Sequence, residues 1–285
     1  MTRFSRAEGM RAALVQLNVT DLPEENLPVT LSLIDRAVAG GAEFVLTPEV
    51  TNCISTDRAH QRAVLRHEED DPTLAALRTR AREHGIWLLI GSLALLTHDP
   101  DGRFANRSFL ITPEGEIAAR YDKIHMFDVQ VSETEVYRES SGYRPGEQAE
   151  VVSTPFGVIG LSICYDLRFP YLYRALAKAG ADILTVPAAF NTTTGAAHWE
   201  PLLRARAIET GCFVLAPAQT GTHVERKGPG RKTYGHGLVI APWGEVLADA
   251  GTEPGVMLID LDLAEVRKAR ARVPSLDHDR AFAGP

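Results

Sequence analysis

The sequence predicts an α/β domain built on a mixed sheet or two stacked sheets, with helices covering the outside. Three observations carry that expectation. Short apolar runs alternate with amphipathic segments along the chain, which is the rhythm of strands joined by helices. Some of the runs are separated only by a turn such as Pro113-Glu114-Gly115 or Pro242-Trp243-Gly244, so hairpins occur and the sheet cannot be purely parallel. The 285 residues, 45% hydrophobic and 24% charged, suffice for one substantial core, and no repeat, charge block or linker divides them.

Residues 12–19 form the first apolar run and predict a buried strand. Leu27, Leu31, Ile34 and Val38 then share a helical face, and Gly40-Gly41 ends that helix. A strand over 43–47 follows and stops at Pro48-Glu49. Pro72 opens a helix carrying Leu74, Leu77 and Ala81, Gly85 closes it, and 86–92 is a third strand. Residues 107–111 and 117–121 flank the Pro113-Glu114-Gly115 turn as a hairpin. The stretch 123–148 looks irregular, and loops of that length inside compact domains are often functional. Residues 151–154 and 158–164 pair around Pro155-Phe156-Gly157. Leu172, Ala175, Leu176 and Ala179 mark a helix, 183–186 a strand, 197–210 an amphipathic helix and 213–216 another strand. A hairpin over 238–240 and 245–248, a strand over 257–260 and a charged helix over 263–271 complete the pattern.

Composition excludes several function classes. With 30 basic and 37 acidic residues, net charge -7, there is no electrostatic footprint for nucleic acid, and no basic patch for a polyphosphate partner is evident. The opening MTRFSRAEG lacks the apolar core of a secretory signal, and no apolar run is long enough to span a bilayer. A cytoplasmic enzyme with no membrane partner is expected. Met10 is an alternative start, so residues 1–9 and 281–285 are treated as extensions of a single domain over 10–280. Cys53, Cys164 and Cys212 are an odd, widely spaced set with no CxxC pair, which fits a reduced compartment and offers neither a zinc knuckle nor a redox motif.

Cys164 is the candidate nucleophile. The run Val158-Ile159-Gly160-Leu161-Ser162-Ile163 ends at Cys164-Tyr165-Asp166, and a helix begins after Pro170. A nucleophile at such a corner is presented above the strand ends, and backbone N–H groups just past it, Tyr165 in particular, face a developing oxyanion. By position alone, a buried small hydrophobe is the commoner fate of a free cysteine. Reactivity needs a base and a cation nearby. Glu49, at the end of one predicted strand, and Lys123, at the end of another, supply these types, although each alone is an ordinary surface charge. Strand ends converge on the ligand crevice of α/β sheets, which ties the three together. His125, His198 and His236 are the alternative partners for a Cys–His pair, and no HxxxH or HExxH spacing suggests a metal.

Three motifs give the sequence a further reading: Leu46-Thr47-Pro48-Glu49, Tyr121-Asp122-Lys123-Ile124-His125-Met126-Phe127-Asp128, and Gly160-Leu161-Ser162-Ile163-Cys164-Tyr165-Asp166-Leu167-Arg168-Phe169-Pro170. In this order and spacing they resemble the nitrilase superfamily of carbon–nitrogen hydrolases, over nearly the whole chain. The resemblance implies a four-layer α-β-β-α sandwich, with two stacked mixed sheets flanked by helices. It implies Glu49 as general base, Lys123 as stabiliser of the tetrahedral intermediate, and Cys164 as the residue acylated to a thioester. A second glutamate in the loop after the lysine is also implied, and Glu139 is chosen over Glu133 and Glu135. Homodimers or higher oligomers built on the helices after the nucleophile are implied, and no cofactor is required.

The stretches Phe190-Asn191-Thr192-Thr193-Thr194-Gly195, Arg204-Ala205-Arg206-Ala207-Ile208-Glu209-Thr210 and Tyr234-Gly235-His236-Gly237 are similar to the Nit branch of that superfamily. The branch contains amidases for 2-oxoglutaramate-type acids and for deaminated glutathione, and the two signatures are mixed here. Arg168 is a candidate for a substrate carboxylate, with a structural ion pair to Asp166 or Glu200 as the alternative. Phe190, Thr193 and Thr194 are candidates for the pocket wall. An N-carbamoyl-amide hydrolase, a true nitrilase, a non-catalytic binding protein that keeps the fold and a redox-sensing thiol protein are the competing readings.

Overall fold

The computed structural model describes residues 9–131, 133, 135–226 and 230–284; residues 1–8 and 285 of the expected extensions lie outside the described residues. The first half of the chain runs β1 (Gly9–Gln16), α1 (Pro23–Ala39), β2 (Phe44–Leu46), α2 (Arg58–Val64), α3 (Pro72–His84), β3 (Trp87–Leu95), β4 (Ala105–Ile111) and β5 (Ile117–Asp122). Next come β6 (Asp128–Gln130), β7 (Val136–Arg138), β8 (Val151–Thr154), β9 (Gly157–Leu161), α4 (Pro170–Lys178), β10 (Ile183–Thr185) and α5 (Thr192–Thr210). The chain ends with β11 (Phe213–Ala216), β12 (Thr220–His223), β13 (Arg231–Tyr234), β14 (Leu238–Ile240), β15 (Val246–Asp249), β16 (Gly255–Asp262) and α6 (Ala264–Arg272).

Two six-stranded sheets result, ordered β16-β1-β2-β3-β4-β5 and β15-β14-β11-β10-β9-β8. In each, three central strands are parallel and the flanking strands antiparallel. The two sheets therefore repeat one pairing pattern that the sequence itself does not display as a repeat.

Alternation along the strands sets the layers. Ala12 and Leu14 on β1, Phe44 and Leu46 on β2, Leu89 on β3 and Leu110 on β4 face the core shared with Ile159, Leu161 and Leu184 of the second sheet. Their neighbours Ala13, Val15, Val45, Leu88, Ile90 and Phe109 turn the other way and pack beneath Ile34 and Ala37 of α1 and Leu74 and Leu77 of α3. Helices α4 and α5 lie against the second sheet, with Leu176, Trp199 and Leu203 in its core. This is the expected α-β-β-α sandwich. Each buried Leu, Ile or Val contributes about 1.5–3 kcal/mol by leaving water.

Local signals end the elements as expected in places and fail in others. Asp71 caps α3 by accepting from the Leu74 N–H at 2.7 Å, and Gly85 closes it at φ 63. Helix α5 starts at Thr192 and not at 197, because Asn191 accepts from the N–H groups of Thr193 and Thr194. The irregular stretch contains the hairpin β6–β7 and a 3₁₀ turn, Glu139–Ser141. Helix α2 and the hairpin β12–β13 have no strong apolar period, so the sequence pattern does not predict them. Strand β9 ends at Leu161, so Cys164 opens a 3₁₀ turn (Cys164–Arg168) and is not the last strand residue.

Gly91 on β3 shows how tightly the two sheets meet. A Cβ there would lie 2.0 Å from the Thr47 carbonyl oxygen, 2.5 Å from that of Pro48 and 2.6 Å from Pro187 Cβ. Replacing Gly91 by Ala is expected to lower stability by about 1–3 kcal/mol through overpacking, read as a lower urea midpoint at unchanged m-value. A variant as stable as the parent would show that these strand ends can separate.

Candidate active site

The residues that follow β2, β5, β7 and β9 meet over one cavity of about 380 Å³. Glu49 comes three residues after β2 and is followed by Val50 at φ 48, an unusual backbone state for a β-branched residue. The turn is held by Ser92 Oγ, which accepts from the Val50 N–H at 2.7 Å, and by Gln219 Nε2, which donates to the Glu49 carbonyl at 3.0 Å. Lys123 follows β5, with its N–H on the Asn106 carbonyl and its carbonyl on the Gly146 N–H. Glu139 opens the 3₁₀ turn after β7 and accepts from the Phe127 N–H at 2.6 Å.

These side chains form one buried chain of charge. Lys123 Nζ donates to Glu49 Oε1 at 2.9 Å and to both Glu139 carboxylate oxygens at 2.9 and 3.0 Å. Asn106 Nδ2 adds a bond to Glu49 Oε1 at 2.9 Å, and the Ala189 N–H one to Oε2 at 2.8 Å. Lys123 and Glu49 are almost fully enclosed. Of the three loop carboxylates, Glu139 is the one that reaches the lysine. Glu135 instead accepts from Tyr137 Oη and Asn191 Nδ2, and Glu133 is exposed and off the cavity wall.

Cys164 adopts φ 49 and donates its N–H to the Pro187 carbonyl at 3.0 Å, which presents a buried thiol against Glu49. Burial raises the thiol pKa well above its ordinary 9.0, the Glu49 charge raises it further, and Lys123 only partly offsets this. For Glu49, burial opposes ionisation, yet the charges of Lys123 and Arg231 outweigh it and hold the carboxyl at about 2. Burial would strip Lys123 of its proton, but Glu139 and Glu49 keep it an ammonium. At neutral pH the site is therefore a protonated thiol beside an ionised carboxylate and an ammonium.

Asp166, wholly buried, joins the cysteine turn to the lysine strand. Its carboxylate accepts from Tyr121 Oη at 2.6 Å, from the Ile163 N–H at 2.8 Å and from the His125 N–H at 3.0 Å, and it contacts His125 Nδ1 at 2.7 Å. His125 also stacks on Phe169. It is thus a structural partner of Asp166, away from the cavity wall. His198 meets Arg168, and His236 pairs with Asp249 while its carbonyl accepts from Trp199. None of the three lines the cavity.

Tyr165, Phe190 and Thr194 line the cavity. Arg168 and Thr193 are not among the residues that line it. The Arg168 guanidinium lies over the rings of Tyr165 and Phe190 and 3.3 Å from His198 Nδ1; neither Asp166 nor Glu200 pairs with it among the described residues. Thr193 sits in the first turn of α5 with its side chain outward, because the Asn191 cap sets the helix phase. Cys53 lines the same cavity, with burial pushing its thiol to about 12, so it is a poor thiolate source. The cavity wall also includes Asn106, Arg58, Arg138 and Arg231, which the sequence did not single out. They come from four separated segments, and no local pattern marks them.

Away from the cavity, His67, Glu69 and His98 are the one group of metal-type ligands found together among the described residues. The two imidazoles are parallel within 1°, with centroids 4.1 Å apart. Imidazole lone pairs lie in the ring plane, so stacked rings do not aim at a common ion.

The sequence matches the carbon-nitrogen hydrolase family over residues 11–271. It is 42% identical to the deaminated glutathione amidase of Synechocystis, over 94% of this chain and 97% of that one. The fold superimposes on the NitFhit protein of C. elegans with a TM-score of 0.87 and 35% identity, covering 96% of this chain and 66% of that longer chain. It also matches a variant of the amidase from Nesterenkonia sp. AN1 in which acrylamide has undergone Michael addition at the active site cysteine (TM-score 0.75, 29% identity, 93% and 98% covered).

The charge state of the site predicts its pH dependence. If Glu49 takes the thiol proton, activity needs Glu49 ionised and the thiol protonated, because that proton is later given to the leaving nitrogen. Glu49 is held below its ordinary 4.5 and Cys164 above its ordinary 9.0, so kcat/KM is expected to be flat between those values. It should fall below the range as Glu49 protonates and above it as Cys164 ionises. Initial rates with circular dichroism at each pH check this; an ionisation between pH 5 and 8 would point to a histidine-paired thiolate instead.

Proposed function

The chain belongs to the carbon–nitrogen hydrolase family and is an enzyme acting on amides, and from that premise we propose that Glu49, Lys123, Glu139 and Cys164 carry out the hydrolysis through a thioester. The supporting observation is the buried Glu49–Lys123–Glu139 chain with the Cys164 thiol against Glu49. We propose one catalytic domain over residues 10–280.

In this reading the substrate carbonyl enters above Cys164. Glu49 takes the thiol proton as sulfur attacks the carbonyl carbon, and the carbonyl π pair moves to oxygen. The Lys123 ammonium and the Tyr165 N–H stabilise that oxyanion. A preorganised donor of this kind is worth about 2.7–4 kcal/mol of transition-state stabilisation. The oxyanion collapses, the C–N bond breaks, and Glu49 returns the proton to the departing nitrogen. A water then enters, Glu49 removes its proton, the thioester carbonyl is attacked and the sulfur leaves, reprotonated by Glu49. Glu139 holds Lys123 in place through both halves and keeps it charged.

The substrate in this reading is a small carboxylate-bearing amide of the deaminated glutathione or 2-oxoglutaramate type. The first of these names comes from the 42% identical relative, and the local cation excess of the cavity wall supports an acid. A primary ω-amide would release ammonia, whereas an amide derived from glutathione would release the amine of its cysteinyl part. We further propose a cytoplasmic homodimer or higher oligomer, packed on α4 and α5. Tyr171 and Ile208, on these helices, are 65% and 55% exposed. Among the described residues no helix is long and apolar enough to cross a membrane.

Cys164→Ala is expected to fold as the parent does and to lose activity by roughly 10³-fold or more. Parent protein quenched during turnover should carry the mass of one acyl group on Cys164. An assay of amine, ammonia and carbon dioxide release over ω-amides of 2-oxo acids, deaminated glutathione, nitriles and N-carbamoyl compounds tests the substrate class. Carbon dioxide release, nitrile turnover or an active Cys164→Ala would each overturn the reading.

A further inference from the structure

The cavity has the opposite sign to the protein. The chain carries a net charge of -7, yet Lys123, Arg58, Arg138 and Arg231 face only Glu49 and Glu139 on the cavity wall. Lys123 is matched by its two glutamates. None of the three arginines has a carboxylate ion-pair partner among the described residues. The wall thus carries four cationic side chains against two carboxylates, and the missing counter-charge belongs to a ligand.

Arg231 is the most exacting of the three. Its Nη2 donates to the Ala189 carbonyl at 2.6 Å, and its guanidinium lies 5.8 Å from the centroid of the Tyr137 ring. Its Nε is buried and has no hydrogen-bond partner. A buried guanidinium N–H without an acceptor is costly, and two more buried polar atoms of the same wall, Thr194 Oγ1 and Asn106 Oδ1, share that condition. Ala189, whose carbonyl accepts from Arg231, gives its own N–H to Glu49, so Arg231 stands close to the reacting groups. Its charge reaches both Glu49 and Cys164.

Arg58 stands on another wall. It donates to Gln61 Oε1 at 2.8 Å and lies over the rings of Tyr143 and Phe104 at 5.1 and 6.0 Å. Its charge acts on Tyr143, whose ring it covers and whose hydroxyl accepts from Gln61. A guanidinium has five N–H donors in a fixed fork, and one bond to Gln61 leaves most of them for a ligand. Arg138, exposed and bonded to the Tyr137 carbonyl, belongs to the rim.

We propose that Arg231 anchors a substrate carboxylate close to the catalytic groups and that Arg58 reads a second carboxylate further out, so that these two residues set the preference for dianionic over monoanionic and neutral amides. This rests on the acid-amide reading given above and assigns the residues that enforce it. Aromatic faces under both guanidinium groups keep the forks oriented, which favours bidentate binding over diffuse attraction.

The test compares kcat/KM for deaminated glutathione, 2-oxoglutaramate and a neutral short-chain amide in the parent and in Arg231→Ala, Arg231→Lys, Arg58→Ala and Arg58→Lys. Arg231→Ala should lower the ratio of either acid to the neutral amide by roughly tenfold or more, mainly through KM. Arg231→Lys should recover only part of it, because the charge returns without the fork. Arg58→Ala should lower the ratio of deaminated glutathione to 2-oxoglutaramate by about the same factor. Ratios within twofold of the parent in folded variants would overturn the assignment. The acid-amide reading fails separately, if the parent hydrolyses neither acid. In that event calorimetry of Cys164→Ala protein with 2-oxoglutarate decides the arginine assignment: binding lost in the Arg231→Ala background supports it, and no binding in the Cys164→Ala parent overturns it.

Discussion

Everything at the site depends on keeping one ammonium group charged out of water. Lys123 is enclosed, and removing an ammonium from water costs several kcal/mol unless opposite charges and hydrogen bonds replace the solvent. Glu49 and Glu139 do so at 2.9 Å, and the requirement propagates outward. Two carboxylates beside one ammonium leave an excess negative charge, which the Asn106 amide and the N–H groups of Ala189 and Phe127 spread over further donors. These groups arrive from β4, from the segment after β10 and from the loop before β6. The charge cluster thus fixes the relative position of both sheets, and only a fold that brings those segments to one point can hold it. Buried ion pairs are weak evidence for stability; here the cluster serves position and charge state.

The second constraint is strain at the two strand ends. Val50 and Cys164 both sit at positive φ, at 48° and 49°, where non-glycine residues cost about 1–3 kcal/mol each. Each turn is pinned by neighbours. Ser92 and Gln219 hold the Glu49 turn, and Asp166 gathers Tyr121, His125 and the Ile163 N–H under the cysteine turn. Asp166 therefore couples the strand that leads to Lys123 with the strand that leads to Cys164. Gly91 completes the arrangement by letting Thr47 and Pro48 approach Pro187, whose carbonyl receives the Cys164 N–H.

What the sequence made legible follows from which constraints are local. Apolar alternation reveals most strands of both sheets, and the placement of Glu49, Lys123 and Cys164 at the ends of predicted strands follows from it. Glu139 needs the motif likeness, since three glutamates compete in one loop and only the three-dimensional path selects which reaches Lys123. Arg168 is a candidate through its nearness in sequence to Cys164, and the 3₁₀ turn lays its guanidinium over Tyr165 and Phe190. Thr193 is exposed in the first turn of α5, because one capping residue, Asn191, sets where the helix starts. No basic patch is visible in the sequence because the arginines on the cavity wall are spread from 58 to 231 and only tertiary structure assembles them. The repeated strand pattern of the two sheets is hidden for a related reason: pairing order is a property of crossovers, and unequal insertions between strands conceal it.

The same electrostatics bears on when the cysteine reacts. Many thiol enzymes keep a standing thiolate by pairing it with a cation. Here the carboxylate nearest the sulfur opposes ionisation, and the lysine that could favour it is already matched by two glutamates. The sulfur at rest is a buried thiol, a poor partner for peroxide or stray electrophiles, since both react with thiolate. In the proposed mechanism, nucleophilicity appears only when a carbonyl lies close enough for bond formation to proceed with proton transfer to Glu49. The negative charge then passes from Glu49 to the carbonyl oxygen, where Lys123 stands. In the proposed mechanism an anionic substrate held by Arg231 adds to this coupling, because its carboxylate offsets part of the positive charge that holds the Glu49 carboxyl low and so makes Glu49 a better proton acceptor. On the proposed roles, selectivity for the substrate and quiescence without it come from one charge arrangement.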